Sequence, residues 1–190
     1  MQVWWQMWKG ALPAKDCDWV LANGGKLEAK KGLVGGNSGA FTPVASDIRR
    51  SVIRWVRREP EWNWLWSRIE GWIHEANSNA YGFALDRIES LQFTEYVAEE
   101  QGHYGWHEDI AWKSTKPYQR KLSLVIQLSR PDEYEGGLLE LAEDNPTDPL
   151  HFADRGTVIV FPSYLKHRVT PVTRGKRHSL VAWMEGPNFR

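Results

Sequence analysis

Two residues apart in the stretch Tyr104-Gly105-Trp106-His107-Glu108-Asp109, His107 and Asp109 set an imidazole beside a carboxylate in a setting that reads as extended. Side chains alternate faces along a strand, so His107 and Asp109 point one way and Glu108 the other. Two ligands hold a divalent metal poorly, and Lys166-His167-Arg168-Val169 supplies a third candidate far downstream. Two imidazoles and one carboxylate on one face of an iron(II) ion leave its other coordination positions open to small molecules. Ten residues past His167 stands Arg177, whose planar and permanently charged fork suits a carboxylate. Arg177, Ser179, Val181 and Trp183 share one face of the strand that runs from Arg177 to about Met184.

His107-x-Asp109, then His167, then Arg177 and Ser179 inside HRVTPVTRGKRHSLVAW, resemble the iron(II) and 2-oxoglutarate dependent dioxygenases, in their prolyl 4-hydroxylase and PKHD-type hydroxylase branch. Tyr134-Glu135-Gly136-Gly137-Leu138 and the strand Lys121 to Ser129 are similar to the same branch, and the likeness runs over about residues 85 to 185. It implies a double-stranded β-helix with Fe(II) held by His107, Asp109 and His167. It also implies 2-oxoglutarate and O2 as co-substrates, with ascorbate as a supporting reductant. Arg177 would clamp the distal carboxylate of 2-oxoglutarate, Ser179 would add a hydroxyl donor, and Tyr96, eleven residues before His107, would hydrogen-bond the co-substrate. The implied reaction decarboxylates 2-oxoglutarate to succinate and CO2 while hydroxylating a substrate C–H bond, with a prolyl residue in a peptide or protein as the leading substrate. Tyr104, Trp183 and Gln127 are candidates for the wall of the substrate site. Gln127 stands where some relatives place a tyrosine that helps bind the distal carboxylate, so this chain departs from that pattern.

The elements that would position these groups read as α+β, mainly β: a jelly roll with N-terminal supporting helices. Val3 to Trp8 is expected as a strand. Pro13 opens a short helix that Gly24-Gly25 ends. Lys26 to Pro43 carries GGNSG and no apolar period, and reads as a loop. The arginine-rich run Ile48 to Arg58 reads as a solvated strand flank, since Glu59 and Glu61 follow at once. From Pro60, the residues Trp62, Leu65, Trp66, Ile69, Trp72, Ile73 and Ala76 mark one face of a helix, and Asn77-Ser78-Asn79 ends it in a turn. The period then changes to two. Leu122, Leu124, Ile126 and Leu128 take one face of a strand, with Ser123, Val125 and Gln127 on the other. Leu138 to Leu141, Thr157 to Phe161 and the His167 segment complete the strands. Ala111 to Gln119 and Glu143 to Asp154 are expected as loops, with substrate access between 35–47 and 111–119.

A chain of 190 residues fits one domain, with helical support at about 10–80 and a jelly-roll core at about 85–185. Its 24 basic and 24 acidic residues balance, so no global charge draws it to nucleic acid or an anionic membrane. Cys17 is the only cysteine, which excludes an intramolecular disulfide and favours a reducing, cytoplasmic compartment. The twelve tryptophans read first as core filling and second as a stacking platform. His74, His103, His151 and His178 read as structural or surface groups. Two further functions stay open at this point: the same chemistry on a free amino acid or other small molecule, and a non-catalytic jelly-roll module that binds carbohydrate or peptide. A monomer and a homodimer are equally consistent with the sequence.

Overall fold

A computed structural model describes residues 3–31, 34–35, 41–42, 48–143 and 147–189. Much of the access loop expected at 35–47 therefore lies outside the described residues. Fourteen strands and two α-helices follow in order: β1 (Gln6–Trp8), α1 (Ala14–Gly24), β2 (Lys30–Lys31), β3 (Val34–Gly35), β4 (Phe41–Thr42), β5 (Arg49–Arg50), β6 (Val52–Trp55), α2 (Asn63–Ala76), β7 (Arg87–Val97), β8 (His103–His107), β9 (Tyr118–Gln127), β10 (Tyr134–Gly136), β11 (Leu139–Leu141), β12 (Val158–Pro162), β13 (His167–Val169) and β14 (Val172–Pro187). Eight strands form a large antiparallel sheet in the order β1-β12-β9-β14-β7-β6-β2, with β10 added to one end of β14. A smaller sheet runs β11-β13-β8-β5, and β3 pairs with β4. Lys26 to Pro43 is thus not wholly a loop, because Lys30 and Lys31 extend the large sheet beside Ile53 and Val52.

The two helices cover one face of the large sheet. Leu65, Ile69, Ile73 and Ala76 of α2 and Cys17 and Val20 of α1 are buried against Leu122, Leu124 and Ile126 of β9, Leu91 and Phe93 of β7, and Leu180, Ala182 and Met184 of β14. Each Val, Leu, Ile, Phe or Met among them contributes roughly 1.5–3 kcal/mol by leaving water. The last residue of α1 must be glycine for packing reasons, since a Cβ on Gly24 would lie 2.6 Å from the Phe93 ring. The expected start of the second helix at Pro60 is a 3-10 turn, Pro60–Trp62, that leads into α2. The expected turn at its end is a π-helical turn, Asn77–Tyr81, pinned where the Asn77 side chain both accepts from and donates to the Phe83 backbone.

The other face of the large sheet looks toward the small sheet, so the jelly-roll expectation holds. Residues from β7, β9 and β14 and residues from β5, β8, β11 and β13 line one cavity between them. Two local expectations are corrected. Within Glu143 to Asp154, a 3-10 turn at Pro149–Phe152 tucks Phe152 into a core with Leu139, Leu141, Ile159 and Phe161, because an aromatic ring supplies apolar area there. The Ile48–Arg58 run is not a solvated flank throughout. Arg49 is buried, and Arg54 turns in beside Glu95 at 3.9 Å and over the Phe93 ring. Arg49 lies on β5 of the small sheet and faces the cavity, Arg54 lies on β6 of the large sheet beside Phe93, and Trp55, Arg57 and Arg58 stay outside. No helix among the described residues is long and apolar enough to cross a membrane.

Candidate functional site

His107 is the last residue of β8 and His167 the first of β13, and the antiparallel register sets them directly opposite each other. Asp109 is not on the strand as expected. It lies in a bend just past β8, where the Asp109 and Ile110 N–H groups both donate to the Ser163 carbonyl at 2.9 and 3.2 Å. That fork, rather than strand alternation, turns the carboxylate back toward His107. Oδ1 of Asp109 comes within 3.7 Å of His107 Nε2, and Oδ2 within 3.5 Å of His167 Nε2. One ligand atom from each of the three residues falls within 4.8 Å of the others.

Each imidazole is held through its other nitrogen. His107 Nδ1 bonds the Gly105 carbonyl at 2.8 Å and His167 Nδ1 the Leu165 carbonyl at 3.0 Å, so each Nδ1 carries the hydrogen and each Nε2 offers a lone pair to the centre. Tyr104 stacks on the His107 ring, centroids 3.5 Å apart, and Phe161 meets His167 edge-on at 4.8 Å. The Ser123 hydroxyl donates to Asp109 Oδ2 at 2.7 Å and is itself 2.9 Å from the Ser163 hydroxyl.

Electrostatics prepare the same state. Burial, with the neighbouring His167 as second cause, pushes the His107 imidazole down to about 3, so it is neutral at neutral pH. Burial alone would raise the Asp109 carboxyl. His167, His107, Arg120 and the Ser123 hydroxyl together outweigh it and hold the group ionised, at about 2. Burial lifts the Tyr104 phenol to about 12, which keeps it a neutral ring. A neutral nitrogen pair and an anionic oxygen are the donor set that suits iron(II).

The cavity runs from this trio to Arg177 and encloses about 430 Å³ counted to its open mouth. Arg177 is 2% exposed, its guanidinium 5.5 Å from the Tyr96 ring, and its Nη1 is buried without a hydrogen-bond partner. A buried, unpaired guanidinium nitrogen costs several kcal/mol, so the geometry calls for an anion. Ser179 pairs with Thr94 on one side and Gln127 on the other. Tyr96, Tyr104, Ser179 and Trp183 all line the cavity. Trp183 is buried with its Nε1 unpartnered and Arg120 over its ring at 4.0 Å. Gln127 does not line this cavity. Its side chain opens on a smaller one beyond Arg177, shared with Tyr134 and Gly137, because it sits one strand end further from the metal trio. His178 is structural as expected, bonded to Glu95 at 3.0 Å and facing Ser129 at 3.3 Å.

Sequence reasoning missed four groups. Ser123 and Ser163 brace Asp109; alternation puts Ser123 on the strand face of Val125 and Gln127 but does not show its partner. Gln92, inward on β7, bonds Thr94 at 2.7 Å on the cavity wall. Arg49 also lines the cavity, its guanidinium 4.5 Å from the Tyr104 ring and its Nε donating to Ser51 at 2.8 Å. Its burial is hidden in the sequence by the four other arginines around it.

Comparison with known proteins agrees with this geometry. Residues 91–185 match the family model described as the 2OG-Fe(II) oxygenase superfamily. A PKHD-type hydroxylase of Crocosphaera subtropica is 36% identical over 99 residues, 51% of this chain and 43% of the relative. A PKHD-type hydroxylase of Hyphomonas neptunium is 36% identical over 144 residues, 75% of this chain and 55% of the relative. The chain thus spans about half the length of the curated relatives it matches. Among solved structures, a Pseudomonas putida prolyl-4-hydroxylase superposes with a TM-score of 0.69 at 20% identity, covering 97% of this chain and 93% of that one. A Trichoplax adhaerens prolyl hydroxylase in complex with a hypoxia inducible factor peptide fragment gives 0.72 at 15% identity, covering 95% and 82%. At these identities the structural likeness speaks for the double-stranded β-helix fold, while the matched family model, which takes in the first two metal-ligand candidates, His167 and Arg177, speaks for descent. The chain belongs to the 2OG-Fe(II) oxygenase superfamily.

Proposed function

We propose that the protein is a hydroxylase using Fe(II), 2-oxoglutarate and O2, with a prolyl residue in a peptide or protein as its substrate. The observation that carries this reading is the pairing, in one cavity, of a His-Asp-His trio with a buried Arg177 whose Nη1 lacks a partner. His107 and His167 would hold the metal through Nε2 and Asp109 through a carboxylate oxygen, which offsets one of the ion's two charges. Once bound, iron would let O2 serve as the oxidant for two partners, one oxygen atom entering the substrate C–H bond and the other entering succinate as 2-oxoglutarate is oxidised and loses CO2. The protein's own part is order. Arg177 pairs with the distal carboxylate, with Ser179 and Tyr96 beside it, so the 2-oxo acid end is directed at the trio. Val125, Leu139, Val169, Val181 and Trp183 wall the cavity and keep water from competing. Proline as substrate rests on the names of the structural neighbours and on the aromatic side chains of Tyr96, Tyr104 and Trp183 in the cavity wall. Ascorbate, as a reductant, would sustain turnover by keeping the metal ferrous.

Protein supplied with Fe(II), ascorbate and 2-oxoglutarate should release succinate, and proline-containing peptides should gain one oxygen by mass spectrometry. Oxygen gain on free amino acids alone would replace the substrate, and no decarboxylation across a broad panel would leave a binding module.

A further inference from the structure

Arg177 and Leu139 also line a second, smaller chamber with Gln127, Tyr134, Gly137 and Phe152, and among its described lining residues Arg177 is the only charged one. Two polar side chains face this chamber, and neither is used by the reading above. Gln127 is 2% exposed and Tyr134 5%. Their contact has a defined sense: Gln127 Nε2 donates to the Tyr134 phenol oxygen at 2.9 Å. A phenol that accepts still owns its hydrogen. Among the described residues, no hydrogen bond donated by the Tyr134 hydroxyl is found, which is costly for a group so deeply buried.

The surroundings fix where that hydrogen can go. The Tyr134 ring packs with Tyr96, Val169 and Val172, so it cannot swing out to solvent. Gly137, at φ +59°, leaves the gap between Tyr134 and Arg177 open: a Cβ there would lie 3.0 Å from Arg177 Cδ and 3.5 Å from the Tyr134 ring. The chamber therefore brings a guanidinium N–H and a phenol O–H, neither with a hydrogen-bond acceptor among the described residues, to either side of Gly137. That combination suits a carboxylate, whose two oxygens can take one donor each.

We propose that Tyr134, held by Gln127, is a co-substrate-binding residue that donates its hydroxyl hydrogen to the distal carboxylate of 2-oxoglutarate, beside Arg177. This rests on the reading of the cavity as a 2-oxoglutarate site. Gln127 is then a positioning residue: it contacts the phenol rather than the ligand. The pair also confers selectivity, since it rewards a 2-oxo diacid over a chelator that has no distal group.

The test is calorimetric binding to protein loaded with Mn(II), which does not turn over, using 2-oxoglutarate and oxalate. Oxalate chelates the metal without reaching the chamber. Tyr134→Phe should weaken 2-oxoglutarate about tenfold, the effect of one hydrogen bond to a charged group, and leave oxalate unchanged. Gln127→Leu should weaken 2-oxoglutarate by about two- to fivefold with oxalate again unchanged, since the phenol keeps its hydrogen but loses its orientation. Tyr134→Phe binding 2-oxoglutarate as tightly as the parent overturns the proposal, as does an equal loss for both ligands, which would report general damage to the pocket. Should Tyr134→Phe fail to fold, the ratio of the two ligands' affinities in Gln127→Leu decides alone. A parent protein that binds oxalate but not 2-oxoglutarate, or neither, overturns the co-substrate reading itself, which separates that failure from this one.

Discussion

The two faces of the large sheet are built from the same strands and do opposite things. On β9, Leu122, Leu124 and Ile126 turn to the helices, while Ser123 and Val125 turn to the cavity between the sheets and Gln127 to the chamber beside it. On β14, Leu180, Ala182 and Met184 face one way and Arg177, Ser179, Val181 and Trp183 the other. On β7, Leu91 and Phe93 oppose Gln92, Thr94 and Tyr96. Both faces are shielded from solvent, yet one is packed with hydrocarbon and the other carries amides, hydroxyls and a guanidinium. A buried apolar face contributes to stability by area alone. A buried polar face lowers stability until its donors find partners, and here several are left over: Arg177 Nη1, Trp183 Nε1 and Ser90 Oγ. The comparison teaches where the molecule spends its stability: unpartnered donors occur on the helix side too, at Trp66 Nε1 and Arg54 Nη1, and it is Arg177 Nη1, in one cavity with the His-Asp-His trio, that marks the face meant for ligand.

Substitutions on the two faces should therefore separate into two kinds of effect. The largest is expected from Leu124→Ala on the helix side. Leu124 is fully buried, so its truncation should cost about 2–5 kcal/mol of stability in denaturant melts while the folded fraction keeps its metal affinity. Loss of metal affinity at unchanged stability would break the division of labour between the faces. Arg177→Ala on the cavity side should do the reverse, weakening 2-oxoglutarate about 100-fold by calorimetry and leaving metal uptake intact. Its unfolding midpoint should hold or rise, because an unpartnered buried cation is removed. Ser123→Ala sharpens the same boundary one layer out. Without the hydroxyl that braces Asp109, metal affinity should fall about tenfold in chelator competition.

The smallest effect is one of pH. His107 in the folded, metal-free protein sits near 3 against an ordinary 6.5, so the unfolded chain binds its proton first as the solution acidifies. Stability is complete above about 6.5 and declines as pH falls toward 3. Asp109, depressed in its turn, adds its own loss only below its ordinary 3.8. Between pH 6.5 and 5.5 the metal-free protein should lose on the order of 1 kcal/mol, and His107→Ala should flatten that limb of the curve. An identical acid limb in both proteins would show that His107 is not shielded as the structure has it.

Much of this was legible in the sequence because alternation writes a sheet face directly into residue order. Leu122 to Leu128, and Arg177 to Trp183, could be assigned to faces without coordinates, and three-and-four spacing did the same for α2. What alternation could not carry was missed. Asp109 reaches the trio through a bend fixed by the Ser163 carbonyl, a contact 54 residues away in the chain. Arg49 was read with its neighbours as solvated, since charge density gives no hint that one arginine of five lies against Tyr104. Tyr134 opens the short strand β10, and its pairing with Gly175 of β14, which no period in the sequence announces, sets which way the ring points.

The order of strands in the large sheet also bears on how such a protein is made. β1, near the start of the chain, finds its partner only in β12, with Gln6 opposite Val160 and Trp8 opposite Val158. His107 likewise waits sixty residues for His167. A ribosome emitting this polypeptide would release its opening strand long before anything exists for that strand to pair with, and closure over such separations is slow. Until the second histidine segment emerges, His107 and Asp109 hang on an unfinished edge, so the His-Asp-His trio comes together only late in synthesis.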